Sequence, residues 1–166
     1  PGDTLYIEPS ATTYAQGTLT KPLTLIGNGY FLAENPETQA NTNTSKIEGI
    51  YFQTGSSGSA VMGCALNGTS YIYVSNIRIE RNYINSTLNI WANNLTDILI
   101  IGNFINATIG SSNYIGINNV LISGNFIEKS AGTAAITFGP EVSAVIENNV
   151  IQGIITINNS IFSNNI

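Results

Sequence analysis

Ile122-Ser123-Gly124-Asn125-Phe126-Ile127 recurs without gaps as Ile79-Glu80-Arg81-Asn82-Tyr83-Ile84, Ile100-Ile101-Gly102-Asn103-Phe104-Ile105, Ile146-Glu147-Asn148-Asn149-Val150-Ile151 and Ile161-Phe162-Ser163-Asn164-Asn165-Ile166. Each copy reads Ile-x-x-Asn-x-Ile. Two degenerate copies precede them: Leu25-Ile26-Gly27-Asn28, and Val61-Met62-Gly63-Cys64-Ala65-Leu66 with Cys in the Asn place. The recurring column is therefore Asn28, Cys64, Asn82, Asn103, Asn125, Asn149 and Asn164, spaced by 36, 18, 21, 22, 24 and 15 residues. An α-solenoid would need two helices per repeat with a 3.6-residue apolar period. Here the residues leading into each copy alternate instead: Ile77/Ile79, Ile98/Ile100, Val120/Ile122 and Ala144/Ile146. Alternating β-branched residues are a strand pattern. Short strands repeating every 20 or so residues describe an all-β chain coiled as a parallel β-helix.

The repeat has a physical logic. The backbone must bend sharply between two strands of one coil, and Asn tolerates a left-handed conformation better than any other non-Gly residue. Stacked at about 4.8 Å per coil, Asn amides can also hydrogen-bond along the column as a ladder. The flanking Ile columns then point inward. Tyr83, Phe104 and Phe126 form an aromatic column beside the ladder. Spacing leaves its direction open, because the bend resets the alternation; an exposed column would stack sugars, and a core stack is the simpler reading. The 36-residue gap holds the polar run from Ala33 to Thr44, read as a loop protruding over about 33–46. The final spacing of 15 implies a compressed or misaligned last turn. Thr4-Leu5-Tyr6-Ile7-Glu8 alternates as an opening strand, and Pro9 and Pro22 mark turns.

The 166 residues suit one domain spanning 1–166. Five basic and ten acidic side chains give a net charge of −5, and only 9% of residues are charged. With 43% hydrophobic residues, 26 of them Ile, the chain is the reverse of a disordered one. Five scattered cations cannot neutralise a phosphate track, so nucleic acid is not an expected partner. No apolar stretch approaches the length of a membrane-spanning helix, so membrane insertion is not expected. One Cys supports neither a disulfide framework nor a zinc site. Pro1-Gly2-Asp3-Thr4 is not a signal peptide, and the chain stops on a repeat motif. Both ends read as cut from something longer, or processed.

These repeats resemble the right-handed parallel β-helix superfamily that includes pectate lyases. The stretch from Leu23 through Gly27-Asn28-Gly29-Tyr30 to Asn41 looks more specifically like the start of secreted β-helix proteins of the Bacteroidota. The resemblance covers the whole chain as fold and about 40 N-terminal residues as words. It implies a right-handed solenoid of about seven coils with an Asn ladder. It also implies what catalysis would look like: clustered acids holding calcium with an Arg or Lys base, or paired Asp residues as acid and base. The superfamily hosts lyases, hydrolases, adhesins and stalks, so it assigns no catalytic residue by itself.

This chain offers little for either chemistry. It has two Asp residues, Asp3 and Asp97, far apart in sequence. Glu80, Glu128 and Glu147 lie on later coils at offsets that do not all align. Arg78 and Arg81 flank Glu80 and read as a surface charge group; a lone lyase base is the less favoured alternative. The absence of His removes Ser-His-Asp catalysis and imidazole ligation. Six Asn-x-Ser/Thr sequons start at Asn43, Asn67, Asn85, Asn94, Asn106 and Asn158. Asn67, Asn85 and Asn106 each follow the repeat column by three residues, so a structural polar column outweighs glycosylation. Cys64 sits in a ladder slot and reads as buried and inert. Trp91, Tyr114, Tyr71 and Tyr73 are the better candidates for surface contact.

The expected function is a non-catalytic extracellular or cell-surface element, structural or adhesive, without catalytic residue, cofactor or metal. Neither end shows a cap, so copies stacked end to end in a fibre or surface layer are one expected partnership. The alternative is a carbohydrate-active module that binds or cleaves an extracellular polysaccharide along its flank.

Overall fold

The computed structural model describes residues 2–30, 41–111, 113–130 and 132–166. The chain coils through three parallel sheets of eight, six and seven strands. It visits them in fixed order, so each turn contributes one strand to each side. The first sheet holds Asp3–Tyr6, Leu23–Ile26, Ala60–Met62, Ile77–Glu80, Thr96–Ile101, Ile117–Ser123, Val142–Glu147 and Asn159–Ser163. The second runs from Lys46–Ile47 through Ala65–Leu66, Tyr83–Ile84, Phe104–Ile105 and Phe126–Glu128 to Val150–Gln152. The third runs from Gly17–Leu19 to Ile154–Thr156. A bridge from Tyr14 to Ile47 completes the second side of the opening turn. The result is a parallel β-helix of about seven coils.

Register makes the core a set of identical columns. Ile79, Ile100, Ile122 and Ile146 stack in the first sheet, each wholly buried. Ile47, Leu66, Ile84, Ile105 and Ile127 stack in the second. Phe52, Ile72 and Ile90 do so in the third. Each fully buried Ile contributes about 1.5–3 kcal/mol of transfer free energy, so parallel columns of them supply most of the driving force. Parallel strands with every coil covered above and below can use such runs, which is why β-branched residues dominate.

The bend between the first and second sheets uses a different residue from the one the repeat suggested. Left-handed φ values occur at Gly63 (67°), Arg81 (49°), Gly102 (62°), Gly124 (66°), Asn148 (56°) and Asn164 (51°). Each precedes the inward-turned polar residue by one. The bend is therefore made just before the ladder, and the ladder Asn keeps an ordinary backbone while aiming its amide at the neighbouring coils. Arg81 is the one bulky residue in this corner series. A left-handed conformation costs a non-Gly residue about 1–2 kcal/mol. Arg81→Gly is accordingly expected to raise the urea midpoint, with a gain of about 1 kcal/mol after the added chain entropy of Gly. Its ion pair with Glu80, solvated at the Arg81 end and duplicated by Arg78 on the same carboxylate, contributes little to the balance.

The aromatic column points out, against the core-stack reading. Tyr83, Phe104 and Phe126 immediately precede the buried Ile84, Ile105 and Ile127, so strand alternation sends the rings to the outer face. Phe126 is 43% exposed. The proposed loop at about 33–46 falls mostly on 31–40, which lie outside the described residues. Lys46, at its predicted end, already belongs to a strand.

Candidate functional site

The most built feature of the molecule is the amide ladder. Asn103 Oδ1 accepts from the backbone N–H of Asn82 at 2.9 Å and from Asn82 Nδ2 at 3.2 Å. Asn103 Nδ2 donates to Ile79 O, Ile101 O and Asn125 Oδ1. Asn125 and Asn149 repeat the pattern, and Asn82 Nδ2 reaches Val61 O at 2.9 Å. All four are buried. Buried amides are tolerable only when bonded, and here each side chain satisfies backbone groups that the sharp bend would otherwise orphan.

Both ends of the column differ from the sequence alignment. The bond from Asn149 N runs 3.0 Å to Asn165 Oδ1, whereas Asn164 occupies the left-handed corner and is exposed. Phe162 pairs with Ile146 and Ser163 with Glu147, which shifts the last copy by one residue. Two adjacent Asn residues made the wrong register match the motif. At the other end, Ser45 takes the ladder slot, since Ala65 N donates to Ser45 O just as Tyr83 N donates to Cys64 O. Asn28 instead closes the base of the intervening segment. Its Oδ1 accepts from Ser45 N and Oγ, each at 2.9 Å, and its Nδ2 reaches Asn43 O. With Ser45 in place of Asn28, the 36-residue gap becomes one ordinary coil carrying an insertion.

Cys64 stands in the ladder slot between Ser45 and Asn82. It is fully buried, its N–H meets Asn82 Oδ1 at 3.0 Å, and its thiol faces Met62 O at 3.6 Å. Burial pushes the thiol up to about 12. An acid whose pKa is raised on folding holds its proton where the unfolded chain has lost it. The folded state then loses stability as pH rises between about 9 and 12. Wild type is expected to lose more stability than Cys64→Ala between pH 8 and pH 10.5 in urea titrations, since the tyrosines raised by desolvation contribute to both. Thiol reagents at pH 8 should label wild type only after denaturation.

Among the described residues, the charged side chains do not converge on one site. Glu80 accepts from Arg78 Nε at 2.6 Å and pairs with Arg81 Nη2 at 3.0 Å, forming one surface group on the outside of the first sheet. Asp3 pairs with Lys21 at 2.9 Å, which lowers the Asp3 carboxyl below its ordinary value. Asp97 accepts from Asn119 Nδ2 on the next coil. Among the described residues, no group of three or more His, Cys, Asp or Glu could hold a metal ion. Among the described residues, no helix is long and apolar enough to cross a membrane.

The sequon residues occupy distinct places. Asn85 Nδ2 donates to Asn67 Oδ1 at 3.1 Å, and Asn67 Nδ2 to Thr13 Oγ1 at 3.2 Å, a second, outer ladder on the second sheet. Asn94 adopts a left-handed φ of 56° and packs its amide on Gly116. Asn106 lines a hollow with Glu128, Lys129, Ser130 and Gln152, and Asn158 lines another near Ser143.

Two aromatic groups lie on the outside. Outside the second sheet, successive ring centroids from Tyr30, in the bend after Leu23–Ile26, through Tyr83 and Phe104 to Phe126 are 6.1, 5.3 and 5.0 Å apart. On the third sheet, Tyr71 gathers Tyr51 at 4.9 Å, Tyr73 at 5.9 Å and Trp91 at 5.6 Å, and Trp91 meets Tyr114 at 5.2 Å. Mutual packing raises the Tyr73 hydroxyl above its usual value by desolvation. Four of these five were legible as surface aromatics. Tyr51 was missed, because only the pairing of Tyr51 with Tyr71 places it there. A hollow of about 480 Å³ also opens between Ile26, Tyr30, Met62 and Arg81.

Set against known proteins, the chain matches no family model, no curated protein and no solved structure.

Proposed function

We propose that this β-solenoid is a non-catalytic structural and adhesive element that works outside the cell, binding along its flank. The observation that carries the reading is the pair of outward aromatic groups, which extend over several coils of the second and third sheets. Outward rings add nothing to the interior columns, and exposed aromatic patches of this kind commonly mark contact surfaces. The kinship with secreted parallel β-helix proteins belongs to the same proposal; its pectate-lyase-like part rests on the repeats and its Bacteroidota part on the stretch from Leu23 to Asn41. Cosedimentation with insoluble cell-wall polysaccharides, followed by assay of the supernatant for released sugars, tests the reading. Binding without release is the expected result. Release of reducing ends or of unsaturated products would establish the carbohydrate-cleaving alternative instead.

A further inference from the structure

The second sheet carries two outward columns side by side. One is Tyr83, Phe104, Phe126 and Val150; the other, two residues further along each strand, is Asn85, Asn106, Glu128 and Gln152. Upstream the second column is spent on itself, as Asn85 bonds Asn67. Downstream it opens. Asn106, Glu128 and Gln152 line a hollow of about 310 Å³ with Lys129 and Ser130. Among the described residues, the side chains of Asn106, Glu128, Lys129 and Gln152 have no hydrogen-bond or ion-pair partner. Beside the hollow stands Phe126, the most exposed ring of its column.

This is an apolar ring next to a concavity rimmed by amide, carboxylate, ammonium and hydroxyl groups. A pyranose has the matching chemistry, with an apolar C–H face and a rim of hydroxyls that both donate and accept. Glu128 and Lys129 cancel in charge, so the hollow favours a neutral sugar over a polyanion. The column also has a period. Ring centroids at 5.3 and 5.0 Å follow the coil rise, and an extended β-1,4-linked pyranose chain advances by close to that rise per sugar. We propose that the hollow beside Phe126 is a binding subsite for a neutral β-linked glycan lying along the solenoid axis. One sugar packs on Phe126 and directs its hydroxyls to Asn106, Glu128, Lys129 and Gln152. The third-sheet cluster, whose rings pack on one another both edge to face and stacked, is the competing candidate that the test must separate. The proposal rests on the adhesive reading and names its ligand class.

The test uses linear hexasaccharides of β-1,4-linked glucose, mannose and xylose, with hexagalacturonate as the anionic comparison, titrated calorimetrically into wild type, Phe126→Ala, Asn106→Ala and Trp91→Ala. Binding of a neutral hexamer, weakened about tenfold or more by Phe126→Ala and by Asn106→Ala and unchanged by Trp91→Ala, is expected. Unchanged thermal midpoints check that the exposed substitutions leave the fold intact. Binding lost in Trp91→Ala but kept in Phe126→Ala would overturn the subsite and leave the adhesive reading standing. Tighter binding of hexagalacturonate would overturn the neutral class. Wild type that binds no hexamer while cosedimenting with polysaccharide would overturn the inference alone; failure of both would overturn the adhesive reading too.

Discussion

Asn103→Ala is expected to remove about 4 kcal/mol of unfolding free energy, the sum of a lost charge-neutral bond network and of backbone groups left bare in the interior. The substitution deletes an acceptor used by Asn82 N and Nδ2 and a donor used by Ile79 O, Ile101 O and Asn125 Oδ1. With the residue 2% exposed, water cannot reach these groups to replace it. Asn165 makes the same kind of contacts at the end of the column but is half-buried. Asn165→Ala should therefore cost only about 1 kcal/mol, close to a single solvated hydrogen bond. Urea unfolding followed by circular dichroism, with all variants at one m-value, measures the contrast. Equal losses at the two positions would mean that the ladder is not what holds the bend.

Gly27→Ala tests how closely the coils approach. A Cβ at Gly27 would stand 2.3 Å from Gly63 O, 2.8 Å from Ser45 Cβ and 2.9 Å from Cys64 Sγ. The nearest obstacle is backbone of the next coil, which is hydrogen-bonded on both sides and cannot turn aside. The expected loss is about 3 kcal/mol, at the upper end for overpacking a tight interior. Gly17 provides the control. A Cβ there meets nothing nearer than 3.9 Å, so Gly17→Ala should stay within about 0.5 kcal/mol of wild type. A small effect at Gly27 would show that the solenoid can open at this corner.

Gly27 also marks a limit of sequence reading. Glycine in Gly27-Asn28-Gly29 looks like a generic turn signal, and nothing in the words says that the coil above presses on it. The corner residues illustrate the same point. Asn was assigned the left-handed bend on its conformational preference alone. The structure gives that place to the preceding residue, because an amide that bonds two coils must point along the stack. Asn148-Asn149 and Asn164-Asn165 each hold one residue of both kinds. Only the pairing partner tells them apart.

Repetition determined the architecture by itself. Five copies of Ile-x-x-Asn-x-Ile, the first four spaced by 21 to 24 residues, admit a parallel β-solenoid and little else, since β-branched alternation excludes helices and each copy needs a neighbour to cover its apolar face. Burial of the Ile columns and of Asn82, Asn103, Asn125 and Asn149 was legible for the same reason. The tertiary structure alone decided the direction of Tyr83, Phe104 and Phe126, the place of Ser45 in the ladder, the gathering of Tyr51 with Tyr71, and the hollow beside Phe126. A period names which residues stack. It cannot say how a bend rotates them, or which side chains from coils twenty residues apart meet across it, because those depend on backbone geometry that a repeat leaves free.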